Sequence, residues 1–493
     1  MQDSQFKLFR DELEFIVKEY MLDLLGITNK KINLSSDEEI ENIETTGIIY
    51  KDRKIYFTIV KSQKFSVNVA VSNVYDGLSF KDEESIFNTI IDNSIFNPKF
   101  NRYKDIAQQR LNYKYAIQVG ICKAITSVSK TCYEYMNRLL IKLEEWSSKT
   151  YEGKKVPFAF VIDPVTKLEE NRLDYLEFLE LDFSATISDG ISSIVELDRE
   201  CRFIGYKSIC KSDLSEIIGA CGDISAVPLR FAEIITNYID MAKVGIFLLI
   251  NGDIILAKER KILYVKRNGK WINFSQNRFV KALSDIVDDF FVSEEKSKEK
   301  LEFFNQIYAS VLDVSFSHTG GIIAYVDSNR ILNKKSNKVL NFMDRFDCFI
   351  EECKHDKESL KNHYMDLCKA TFNEALNKEL SNDKLQELTK NFDKMYLKRK
   401  AISSLCGEDE CEFASIDRRL RCELIGLDGA TIINLDGRVM AFGAIIQNDS
   451  GSTGGGRGAA ASKLSDFGGF AIKISTDGYI EIYSKRNLVY KVK

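Results

Sequence analysis

The sequence predicts an α/β protein: a C-terminal domain built on a mixed sheet, preceded by α+β structure. Three observations carry that expectation. Apolar runs are paired about Asx-Gly dipeptides, which read as hairpins. Between them lie segments whose apolar residues recur at helical spacing. The chain has 493 residues, 44% of them apolar, which at about 100–200 residues per domain suggests three domains with ordinary cores. The expected divisions are an α+β region over 1–145, a hairpin-rich α+β domain over 146–300, and a mixed-sheet domain over 301–493 with a helical insertion at 327–425.

Taken in order, residues 6–25 carry Phe6, Phe9, Leu13, Ile16, Val17, Tyr20, Met21 and Leu24 at amphipathic spacing, and Gly26 ends that helix. Residues 48–71 alternate as strands do, and 82–146 return to helical spacing. An apolar run at 156–163 is closed by Pro164. Three hairpins follow, about Asp189-Gly190, Asn251-Gly252 and Asn268-Gly269. Their Phe, Tyr and Trp residues are expected in the sheet core rather than in a ligand cage. Gly320-Gly321 opens a strand at 322–326. The insertion after it has Leu340, Met343, Phe346 and Phe349, then Tyr364, Leu367, Phe372 and Leu376, at helical spacing. It reads as two or three helices with solvated charged faces, or as an oligomerisation arm. The last stretch runs strand 431–435, turn Asp436-Gly437, strand 439–446, a glycine-rich loop, a small-residue run at 459–462, Leu464-Ser465-Asp466, strand 470–475, turn Asp477-Gly478 and strand 479–483.

The formal net charge of −4 argues against a generally basic nucleic-acid surface. Apolar runs such as 246–250 are too short to span a bilayer, and residues 1–12 carry acids where a signal peptide needs basic and apolar residues. The expectation is a cytoplasmic protein with no membrane partner. Eleven cysteines are scattered without a Cys-x-x-Cys pair and read as reduced, buried thiols. Cys353, His355, His363 and Cys368, with Cys406 and Cys411 beyond them, form the densest group, but 353 and 355 point to different faces of a helix, so no shared metal is expected. His318, beside Gly320, reads as a polar residue entering a strand.

The chemistry concentrates in the last stretch. Asp428, in Gly-Leu-Asp-Gly-Ala, is expected at the lip of a strand, where a carboxylate can hold a divalent ion or a sugar hydroxyl. Gly454, Gly455 and Gly456 remove every Cβ from a loop, so backbone N–H groups can close around phosphate oxygens. Arg457 adds a planar fork that matches phosphate bidentately.

This order of elements resembles the diadenylate cyclase domain, which joins two ATP molecules into cyclic di-AMP. The family's Asp-Gly-Ala motif matches Asp428, Gly429 and Ala430. Its Gly-Thr-Arg-His-Arg-Ala-Ala motif aligns on residues 455–461, and its Leu-Ser-Glu on Leu464, Ser465 and Asp466. Residues 146–163 and 263–271 look similar to the region that precedes cyclase-like domains in bacterial sensor proteins. The resemblance implies a nucleotide held by Gly429, Ala430, Thr453, Gly454, Gly455, Gly456, Arg457, Gly458 and Ser465. It implies a Mg²⁺ or Mn²⁺ ion on Asp428, supported by Asp466, and Gly429 and Ala430 leaving room for the nucleotide. Asp428 and Arg457 would be catalytic, and two protomers would face each other so that each 3′-hydroxyl attacks the other ATP. The chain departs from the motif at Gly456, Gly458, Ala459 and Asp466, losing the histidine and the second arginine. A lost donor of this kind typically costs ~2.7–4 kcal/mol of barrier. The sequence therefore leaves three readings: a metal-assisted nucleotidyltransferase, a nucleotide-binding sensor without turnover, and a scaffold that binds no nucleotide and whose glycine loop is only a linker.

Overall fold

The computed structural model describes residues 14–24, 32–36, 49–72, 106–126, 133–164, 192–209, 225–287, 294–332, 357–366, 381–406, 412–446 and 455–492, apart from a few positions within them, together with Ile86 and Thr89. The chain is α/β with two mixed sheets, and divides into two compact units, Met1–Asp285 with Val489–Lys493, and Ile286–Leu488. The cysteine–histidine group at 353–368, the turn at Asp189-Gly190, and Thr453 and Gly454 lie outside the described residues.

In the first unit, β1 (Ile32–Ser36), β2 (Ile49–Lys51), β3 (Lys54–Ser62) and β4 (Phe65–Ser72) form an antiparallel sheet in the order β1-β4-β3-β2. Helices α1 (Ile106–Thr126) and α2 (Tyr133–Trp146) follow. A second sheet comprises β5 (Phe158–Ile162), β6 (Ser193–Leu197), β7 (Phe203–Ser208), β8 (Val244–Leu248), β9 (Ile254–Lys258), β10 (Lys261–Arg267) and β11 (Lys270–Asn273). Its order is β11-β10-β9-β8-β5-β6-β7, with β5 and β6 parallel and the other pairs antiparallel. The hairpins at Asn251-Gly252 and Asn268-Gly269 form as the Asx-Gly pairs require, with Asn268, Gly252 and Gly269 at positive φ. The expected boundary at 145/146 falls inside one hydrophobic cluster. Leu139, Leu140 and Leu143 of α2 pack with Phe158, Phe160 and Ile246 of the sheet.

The second unit begins with helix α3 (Glu294–Ser317), which leads into β12 (Gly321–Val326). Within 327–425 the described residues include helices at Ser328–Leu332, Asn382–Cys406 and α4 (Arg418–Ile425). Then come β13 (Ala430–Asn434), β14 (Val439–Ala444), α5 (Gly455–Leu464), β15 (Gly469–Ile474) and β16 (Ile480–Ser484). These strands run in the order β14-β13-β12-β15-β16. β12 and β13 are parallel, with Ile323 opposite Thr431, and the other pairs are antiparallel. The stretch expected to be an open glycine loop becomes helical from Gly455. Ala460, Ala461 and Leu464 anchor that helix in the core beside Ala324 and Ile432, and this burial outweighs the poor helix propensity of its glycines. Among the described residues, no helix is long and apolar enough to cross a membrane.

Candidate nucleotide site at one rim of the C-terminal sheet

The parallel pair β12/β13 starts at one end of the sheet, the end at which the antiparallel strands β14 and β15 finish. Several loops therefore meet there: 318–320 before β12, 426–429 before β13, and Thr476-Asp477 after β15.

Paired glycines let these loops close together. A Cβ on Gly321 would stand 2.5 Å from the Ile425 carbonyl oxygen, so the end of α4 can lie against the β12 backbone only because that side chain is missing. Gly320, at φ +70°, has the Arg457 Nη1 3.0 Å and the Thr476 amide 3.1 Å from the same vacant position. On the other side, Thr319 Oγ1 is 3.2 Å from the vacant position on Gly426, two residues before Asp428. Arg457 and the 426–429 loop that carries Asp428 thus both border the segment 319–321. His318 sits at φ 58° and donates from Nδ1 to the Thr476 carbonyl at 3.0 Å, tying the loop before β12 to the one after β15.

Asp428 is exposed, and α4 holds it in position. Asp417 caps that helix by accepting from the Arg419 and Leu420 amides. Arg418 makes a buried two-point pair to Asp313 of α3, at 2.6 and 3.0 Å. Beside it, burial, and then the Arg418 charge, pulls Arg421 down to about 10. Its guanidinium stacks over Phe413.

Arg457 is half-buried, within the first turn of α5. Gly455 and Gly456 open that turn, and among the described residues a Cβ on either would meet nothing within 4 Å. Such an end favours an anion through its amides and its dipole. Gly458 is different, being buried with its missing side chain 3.7 Å from Lys473 Nζ and from the Tyr483 hydroxyl. Lys473 and Tyr483 both donate to Glu481 Oε2, each at 2.9 Å. Burial, followed by Glu481, pushes the Tyr483 phenol up, so it remains a proton donor.

Other expected site residues lie elsewhere. Helix α5 packs on β12 and β15, from Gly320 at its start to the far end of β12, where Asp327 donates its amide to the carbonyls of Phe467 and Gly468. Ser465 and Asp466 are at that far end. Ser465 is buried and accepts from the Arg486 amide at 3.0 Å, and Asp466 pairs with the Arg486 guanidinium at 2.7 Å. Ten helical residues cover about 15 Å, which separates Asp466 from the end that carries Asp428. Gly429 also has another use than the one expected. At φ +110° its missing Cβ would stand 2.4 Å from the Gly443 backbone carbon, so β14 occupies the room expected for a nucleotide. Ala430 is fully buried and paired with Ala444. His318 and Thr476, which sequence reasoning did not join, are brought together across the sheet. The signal was faint: an Asx-Gly turn starting one residue after Thr476, with no pointer to its partner.

Comparison with protein-family models, with curated proteins and with solved structures finds no match. The likeness to diadenylate cyclases therefore rests on the motifs quoted above.

Proposed function

We propose that residues 286–488 form a nucleotide-binding domain of diadenylate cyclase type, condensing two ATP into cyclic di-AMP or a related cyclic dinucleotide. The observation that supports this reading is that Arg457, in the first turn of α5, and the loop that carries Asp428 both border the segment 319–321 at one end of the sheet. In it, Arg457 and the amides of the first turn hold phosphate oxygens, and the exposed Asp428 carboxylate faces the same nucleotide.

The residues fit a particular kind of metal binding. Among the described residues no three His, Cys, Asp or Glu side chains cluster as a protein cage. A single exposed carboxylate suits Mg²⁺ or Mn²⁺ shared with nucleotide phosphates, because Mg²⁺ is commonly held by one or two carboxylates plus substrate oxygens and water. When bound there, the ion neutralises charge on the α-phosphate. Asp466, engaged by Arg486 at the other end, takes no part.

Each 3′-hydroxyl oxygen forms a new P–O bond to the other ATP's α-phosphate and gives up its proton to solvent, and pyrophosphate leaves with the electron pair of the broken P–O bond. Ring closure needs two protomers. Leu427 and Ile445, each bordering the rim residues, are exposed apolar side chains of the kind a facing protomer would cover.

One observation favours a second reading, a nucleotide-binding sensor without turnover. Where the family has a histidine, Gly458 is buried, and the nearest cation, Lys473, is already held by Glu481. Incubation of the full chain with each nucleoside triphosphate and Mn²⁺ or Mg²⁺, followed by mass spectrometry, separates the two. A cyclic dinucleotide supports the transferase, binding without turnover supports the sensor, and no binding removes both.

A further inference from the structure

The first unit contains a cavity of about 680 Å³ bounded by the helical residues 17–24, α1, α2 and the β10–β11 hairpin. Its size is that of a small-molecule site. Its chemistry is neither a dry core gap nor an ordinary surface groove.

Lys266 extends from β10 into it with a largely buried side chain. Its ammonium donates to Gln118 Oε1 at 2.8 Å and to Glu144, which uses two of its three N–H donors. Gln118 is fixed in that role, because its amide nitrogen donates to Asn137 Oδ1 at 3.2 Å and Asn137 donates in turn to the Tyr115 hydroxyl. Burial lowers Lys266 from the ordinary lysine range, with Glu144 opposing the shift, so a further anionic partner would be favourable. Trp271 lines the same cavity, and its indole N–H is shielded from water without a hydrogen-bond partner.

The remaining wall carries aromatic and apolar residues beside Glu19, Lys114 and Lys270. Tyr20 and Tyr115 line it, and Tyr115 and Leu111 are 53% and 57% exposed, a larger apolar surface than a finished wall leaves open. Among the described residues the charged lining is three lysines (114, 266 and 270) against two glutamates (19 and 144), a net of +1. One added negative charge balances it, whereas a doubly charged phosphate monoester exceeds it.

We propose that this cavity binds a small planar ring bearing one negative charge, an aromatic carboxylate in chemical class, with the carboxylate on Lys266 and the ring among Tyr20, Tyr115 and Leu111. The site is separate from the nucleotide rim and does not depend on that reading.

The chain has two tryptophans, so Trp146→Phe in the full chain leaves Trp271 as the sole indole reporter. Benzoate should change the Trp271 emission saturably, while acetate, benzyl alcohol and AMP at matched concentrations should not. Lys266→Met should weaken benzoate at least about tenfold, as loss of a charged hydrogen bond requires. Lys270→Glu, at an exposed position, should weaken it severalfold without disturbing the fold. Absence of saturation by benzoate, equal binding of benzyl alcohol, tighter binding of AMP, or indifference to Lys270→Glu would each overturn the proposal.

Discussion

The two ends of the C-terminal sheet carry similar residues and use them differently. At one end Arg457 and the loop that carries the exposed Asp428 border the same segment, 319–321. At the other, Ser465, Asp466 and Arg486 satisfy one another in a closed turn. The contrast shows that a motif contiguous in sequence need not be contiguous in space. Once residues 455–464 are helical, the motif's first half and last half sit at opposite ends of β12.

That contrast can be broken most severely at Gly429. If its missing Cβ serves the approach of β14, Gly429→Ala should destabilise the second unit by on the order of 5 kcal/mol, the extreme expected for a forced backbone clash at positive φ. Chemical denaturation reads this, and a variant that is normally stable yet fails to bind nucleotide would return Gly429 to the site. Next comes Arg418→Ala, which takes from the buried Asp313 its two-point partner beneath the helix that precedes Asp428. A loss of about 3–5 kcal/mol is expected, and the same melt measures it.

Arg457→Ala should be milder and of a different kind. It should weaken ATP binding by about 1.5–3 kcal/mol, the usual worth of a hydrogen bond to a charged group, with an unchanged melting temperature. Calorimetry with ATP checks it, and unchanged affinity would detach Arg457 from the phosphate. Smallest is Asp466→Asn. Its partner Arg486 is 63% exposed, and exposed pairs contribute about 0–1 kcal/mol, so stability and nucleotide affinity should both stay near wild type.

Much of this fold was legible. The strands at 322–326, 431–435 and 470–475 follow from apolar runs bounded by Gly and Asx-Gly turns, and those rules act locally. Helix α5 was hidden because Gly455, Gly456 and Gly458 disfavour a helix locally, and only the tertiary burial of Ala460, Ala461 and Leu464 decides the matter. With the helix hidden, Asp466 read as a neighbour of Asp428. The shared core of α2 and the hairpin sheet was hidden in the same way, because Leu139 and Phe160 lie on either side of the expected boundary at 145/146 and share a cluster only in the folded chain. Asp428 and Arg457 were legible as residue types, but that Arg457 and the loop carrying Asp428 border one segment, 319–321, depends on glycines more than 100 positions away.

The central claim is that the site lies at the Asp428 end alone, and one assay tests it directly. Wild type, Asp428→Asn and Asp466→Asn are incubated in parallel with ATP and Mn²⁺, and cyclic dinucleotide is counted by mass spectrometry. The account predicts product from wild type and Asp466→Asn at similar rates and a loss of several orders of magnitude in Asp428→Asn, since asparagine keeps the shape but not the charge that holds a divalent ion. Equal turnover by Asp428→Asn, or its loss in Asp466→Asn, would contradict the account.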